Sequence, residues 1–234
     1  MSEKKRLPLL DSLRGLALVN MVLYHGLWDQ VYLVSAPAWY SESWAYPWQQ
    51  WICHTFILVS GFCWSLSRRH LRHGLINLGF SGLITLVTLF ALPQEPIWWG
   101  VLYLLGISAL LLIPLAPALK KLPALPGLLV FVSLFALTRH IRRWTILPSW
   151  LFANQLTAAL GFPPSGFVSS DYFPLIPWFF LFGCGYFLYR LGENRWQELP
   201  VMQHDLPALS FLGRHSLLIY LLHQPVLYLL VVVI

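Results

Sequence analysis

Three long apolar runs decide what this chain can be: FSGLITLVTLFAL from Phe80, LLVFVSLFAL from Leu128 and SLLIYLLHQPVLYLLVVVI from Ser216. They are too long and too apolar for soluble core helices, and segments of about 20 such residues are what the hydrocarbon thickness of a bilayer demands. In lipid a lone segment must satisfy its own backbone, so each is a helix. Only 10% of the 234 residues are charged and 58% are hydrophobic, where a soluble domain carries about 25% charged residues. The expected fold is therefore all-α, a polytopic transmembrane helical bundle forming a single domain over residues 1–234.

About seven spans are expected, at roughly 9–34, 48–67, 73–92, 97–118, 124–139, 172–191 and 208–233, from hydropathy and turn signals. Pro93, Pro96, Pro123 and Pro126 punctuate turns. The basic start MSEKKR lacks a small-residue cleavage site, so the first run reads as a retained span. With the N-terminus cytoplasmic, Lys4, Lys5, Arg6, Arg68, Arg69, Arg72, Lys120, Lys121, Arg190, Arg195 and Arg214 fall inside, as the positive-inside rule prefers. Arg139, Arg142 and Arg143 fall outside and violate it. An eighth crossing over 144–162 would weaken the bias. The segment Thr145–Pro174 then becomes the longest extracytoplasmic stretch, a candidate re-entrant or interfacial helix. The net charge of +6 is topogenic and not a nucleic-acid footprint. Trp39, Tyr40, Trp44, Trp48, Trp98 and Trp99 flank spans, where amphipathic rings favour the interface. Cys53, Cys63 and Cys184 lack metal-ligand spacing and read as small core residues. No metal site is expected.

The first span carries four ionisable groups, Asp11, Arg14, His25 and Asp29, each costly in hydrocarbon without a partner. At about 100° per residue, eleven steps bring His25 within roughly 20° of Arg14. Asp11 lies three positions before Arg14 and Asp29 four after His25, so all four share one stripe. Arg14 and His25 stand roughly 16 Å apart along the axis, comparable to an extended pantetheine arm. A guanidinium near the cytoplasmic mouth suits a phosphate, and a deeper imidazole suits proton transfer. Asp29 is expected to fix the imidazole tautomer. Taken singly, Arg14 with Asp11 also reads as an interfacial ion pair and His25 as a packed, satisfied residue; their alignment on one stripe favours a functional seam.

The pattern D-x-x-R-G-L-A-x-x-x-M-x-x-x-H over Asp11–His25 resembles bacterial heparan-alpha-glucosaminide N-acetyltransferase-like membrane proteins. Its Arg–His spacing is similar to that of the acyltransferase-3 family. WWGVLYLLGIS (Trp98–Ser108), DYFPLIPWF (Asp171–Phe179) and LGRHSLLIYLLHQPVL (Leu212–Leu227) fit the first family in order. The resemblance implies a membrane enzyme passing an acyl group, here acetyl, from cytosolic acetyl-CoA to a hydroxyl or amine of an extracytoplasmic glycan or small molecule. It matches His25 to a catalytic histidine and Arg14 to a donor-binding arginine. Tyr103 stands where this family commonly has a histidine, and His54 is the nearest candidate for a histidine beyond the first helix.

Further candidates follow from placement. Arg214 and His215, with Asp11 beside Arg14, are candidate donor-binding groups at the cytoplasmic end. Ser216, Tyr220 and His223 share a face of the last span and are candidate acceptor contacts, as are His54, Tyr103 and Asp171. They read equally as interhelical polar glue, and Asp171 as the N-cap of the helix that follows it. The loop SRRHLRH, Ser67–His73, is a weaker CoA-phosphate candidate and otherwise topogenic charge. Ser60 and Gly61 either line a cavity or permit close packing. Acyl-CoA, the acceptor, membrane lipids and a second copy in a homodimer are the expected partners; a bacterial inner membrane is the expected location. The alternatives are a proton-coupled transporter, against which no internal repeat is visible, and a non-catalytic envelope-assembly subunit.

Overall fold

The computed structural model describes residues 6–33, 42–141 and 147–233. Among them the chain is helical throughout, with no strand: α1 Pro8–Leu33, α2 Glu42–Trp64, α3 His70–Ala91, α4 Val101–Leu119, α5 Ala124–Thr138, α6 Gln155–Leu160, α7 Leu175–Gly192, α8 Pro207–Arg214 and α9 Ser216–Val233. Lys4, Lys5, Trp39, Tyr40, Arg142 and Arg143 lie outside the described residues. The helices α3, α4 and α7 are each long and apolar enough to cross a membrane, and α5 and Ser216–Leu230 are shorter apolar helices. Thus three of the seven expected spans stand on length and composition alone. At 26 and 23 residues, α1 and α2 have the length; their amides, imidazoles and carboxylates dilute the hydropathy. The chain is an integral membrane protein of helical bundle type.

Two compact units divide the chain, residues 1–59 with 192–234 and residues 60–191, so that α2 is shared at Val59 and Ser60. In the first unit, α1 crosses α8 in backbone contact. A Cβ on Gly15 would stand 1.9 Å from the Leu209 carbonyl oxygen, and one on Gly213 would stand 1.9 Å from the Asp11 carbonyl oxygen. Only glycine admits so close an approach. Leu18, Met21, Tyr24, Ala45 and Ile52 form the buried core, flanked by Trp48, Phe56, Leu212, Ile219 and Tyr220.

The expected last span, 208–233, is broken. His215 leaves the helical region at φ −102° and ψ 17° and ends α8 before α9 begins. Gly213 and Ser216, poor helix-interior residues, flank the break.

The second unit packs by fitting glycines against rings. Gly127 faces the Phe187 ring and Gly183 the Phe131 ring, where added Cβ atoms would lie 2.1 Å from ring carbons. Gly74 and Gly106 bring α3 and α4 together, and Gly61 sits against the Phe182 carbonyl, so Gly61 serves close packing. Ile176 lies outside the helical region at φ −99° and ψ 124°, as a residue before proline prefers; this is the kinked entry to α7. The loop predicted over Ser67–His73 is shorter, because His70 already opens α3 and stacks on Trp64 with centroids 3.9 Å apart. The re-entrant candidate contains a short helix, α6, whose Asn154 side chain accepts from the N–H groups of Leu156 and Thr157 at 2.9 and 3.0 Å. That N-cap is a sequence signal the hydropathy reading passed over.

Candidate active site

Helix α1 is joined to the α8–α9 segment by polar rungs. Near the start of α1, Ser12 Oγ and Ser210 Oγ meet at 2.8 Å; Ser12 Oγ also accepts the Leu206 N–H, and Ser210 donates to Asp205. Further along, His25 Nδ1 lies 2.7 Å from His223 Nε2, with the two rings end to end, centroids 4.9 Å apart and planes within 19° of each other. One turn beyond, Gln224 Nε2 donates to both oxygens of the buried Asp29, at 2.9 and 3.0 Å. The serine pair and the histidine pair are each 198 residues apart in the chain. The two segments therefore run parallel and in register.

Asp11, Arg14, His25 and Asp29 all lie on α1, but their partners differ from those the stripe suggested. Asp11 bridges two guanidiniums, Arg6 at 3.0 Å and Arg14 at 3.2 Å. Asp205 stands at the neighbouring serine rung, so that Arg6 and Arg14 share this end of α1 with two carboxylates. Arg14 and Arg214 are chain neighbours of Gly15 and Gly213, the residues of the α1–α8 crossing, and Arg214 and His215 are exposed. The Nδ1 of His25 meets the His223 ring at 2.7 Å. Asp29 is engaged instead by Gln224, a residue that reading the first helix alone could not find.

The remaining candidates separate by unit. His54 turns its Nδ1–H to the Gln50 carbonyl of its own helix at 2.5 Å, and Ser216 is half-buried at the start of α9. Tyr220 packs against the first core and its ring lies 5.5 Å from that of His223. Asp171 and Tyr103 belong to the second unit. Asp171 does not cap the helix that follows it: its Oδ2 accepts the Val101 N–H at 3.0 Å and caps α4. Gly100 permits this, because a Cβ there would lie 2.5 Å from that oxygen. Tyr103 packs edge-on against Trp99 with centroids 4.9 Å apart. Arg190, read from sequence as topogenic charge, donates to the carbonyls of Leu119, Lys120 and Leu122 at 2.8, 3.2 and 2.9 Å, and so closes the C-terminal end of α4.

Paired imidazoles are thus held between the first and last helices of a helical membrane protein. The chain belongs to the heparan-alpha-glucosaminide N-acetyltransferase catalytic-domain family, whose model matches residues 6–225. Membership implies transferase activity, that of a membrane acetyltransferase. No curated protein and no solved structure matches the chain.

Proposed function

We propose that the protein transfers an acetyl group from acetyl-CoA to a hydroxyl or amine of a glycan-type or small-molecule acceptor on the far side of a bacterial inner membrane, with His25 as general base. The observation that carries this reading is the placement, on one helix of a chain matching an acetyltransferase family, of Arg14 near its start and His25 roughly 16 Å further along the axis. Arg14 and Arg214, with His215 and Asp11 beside them, would hold the donor phosphates, where a planar guanidinium fits best. His54, Ser216, Tyr220, Tyr103 and Asp171 remain candidates for the acceptor, and the latter two also have the structural contacts described above.

In the reaction, His25 removes the proton of the acceptor O–H or N–H while that atom attacks the thioester carbonyl. The new C–O or C–N bond forms, the C–S bond breaks, and the departing thiolate takes the proton from His25. Asp29, one turn from His25, holds the Gln224 carboxamide and so fixes α1 against α9 beside the base.

The test is acetyl transfer from labelled acetyl-CoA to a panel of amino sugars, sugars and amines by the purified protein in nanodiscs. Transfer by the wild type and its loss in Arg14→Gln, seen as a rise in KM for acetyl-CoA, are expected. Ion or solute flux through proteoliposomes without any CoA ester would favour a transporter and overturn the assignment.

A further inference from the structure

We infer that His223 is a positioning residue: anchored on the Tyr220 carbonyl, it compels the His25 ring to carry its proton on Nδ1 and to leave Nε2 as the basic atom. This rests on the acetyltransferase reading for its kinetic consequence but not for its chemistry.

A carbonyl oxygen cannot donate. The contact of His223 Nδ1 with the Tyr220 carbonyl at 2.5 Å therefore requires the hydrogen on that nitrogen. A neutral His223 then presents a bare Nε2, which can only accept. The His25 nitrogen 2.7 Å away is Nδ1, so the hydrogen of this second bond belongs to His25. Its own Nε2 is left with the lone pair, and no described residue hydrogen-bonds to it. Carbonyl, His223 and His25 thus form a chain with one direction, fixed at the end that has no choice.

The arrangement also survives turnover. When His25 Nε2 takes a proton, the imidazolium still donates through Nδ1 to His223. Neither ring need flip, and no hydrogen bond is lost between the resting and protonated forms, which is the economy that preorganised sites show. The opposite tautomer of His25 would turn two lone pairs toward each other or force His223 to give up Tyr220.

Other histidines show what is particular here. His54 and His215 close their Nδ1–H on the Gln50 and Phe211 carbonyls, each one turn back on its own helix, at 2.5 and 2.9 Å. His223 does the same toward Tyr220, but His25 spends its Nδ1 across to another helix.

Two measurements test this on the full chain in nanodiscs. In ¹⁵N-histidine-labelled protein, with the His25 signals assigned by difference from His25→Gln, the neutral wild-type ring should show a protonated Nδ1 and a bare Nε2. In His223→Leu this tautomer should lose its dominance. In acetyl transfer, His223→Leu should lower kcat at least about tenfold, since a misplaced tautomer removes the base, with KM for acetyl-CoA unchanged. His223→Gln, whose Oε1 can accept the same Nδ1–H, should recover most of kcat. A wild-type His25 protonated on Nε2, or equal kcat in the Leu and Gln variants, would overturn the inference. Should the wild type transfer no acetyl group to any acceptor, the acetyltransferase reading fails while the nitrogen spectrum still decides the tautomer.

Discussion

The two compact units use polar groups in different places. In the second, the polar side chains serve chiefly the ends of helices: Asp171 caps the start of α4 and Arg190 closes its end, while mid-helix contacts are glycines set against rings and backbone. In the first, polar side chains meet one another in the middle of helices, as with His25 and His223, Asp29 and Gln224, and Asn20 with Trp48. Helix ends leave backbone groups unsatisfied and reward capping. The middle of an apolar helix offers no such need, and an ionisable group there is retained at a cost. The proposed base and its polar partners thus belong to the first unit.

The sharpest way to break this contrast is His25→Ala. If the first unit holds the base, kcat should fall by about 10²–10⁴, or roughly 3–5 kcal/mol, well beyond the about 1 kcal/mol of stability lost with the bond to His223; undiminished turnover would move the chemistry elsewhere. Next come the glycines. Gly213→Ala drives a methyl into the Asp11 carbonyl, which is backbone and cannot swing aside, and should destabilise by about 3 kcal/mol. Gly183→Ala meets the Phe131 ring, which can turn, and should cost about 1–2 kcal/mol. Thermal melts followed by size-exclusion fluorescence rank the two; the reverse order would mean that the α1–α8 crossing yields more readily than its geometry indicates. Asp171→Ala should cost about 1 kcal/mol of stability through the lost cap and leave KM for the acceptor unchanged; a raised KM would return Asp171 to the binding site. The smallest effect belongs to Asn20→Ala, which removes the 2.9 Å bond from Trp48 Nε1 and should lower stability by about 0.5 kcal/mol without altering kcat.

Much of the framework was legible in the residues. The starts and ends of α4 and α5 fall within a few residues of the spans read from hydropathy, because prolines and glycines mark their boundaries locally. The break at His215 was not legible: SFLGRHSLLIY keeps an apolar pattern through it, and the interruption accompanies a glycine set against another helix. Asp171 shows the same limit. An acidic residue before an apolar run resembles an N-cap of that run, yet the helix end it serves is 70 residues away in the chain.

What the sequence by itself determined is the class and the stripe. Hydrocarbon thickness and a 3.6-residue period are local properties, so a helical membrane protein with Arg14 and His25 on one face of α1 follows from residue order alone. Only the tertiary structure decided which atoms meet. His25 faces a histidine 198 residues away, and Asp29 a glutamine 195 residues away, because the close crossing at Gly15 and Gly213 lays α8 and α9 parallel to α1. The tautomer of the proposed base depends on that crossing and on one carbonyl at Tyr220, and no spacing within the first helix could have specified either.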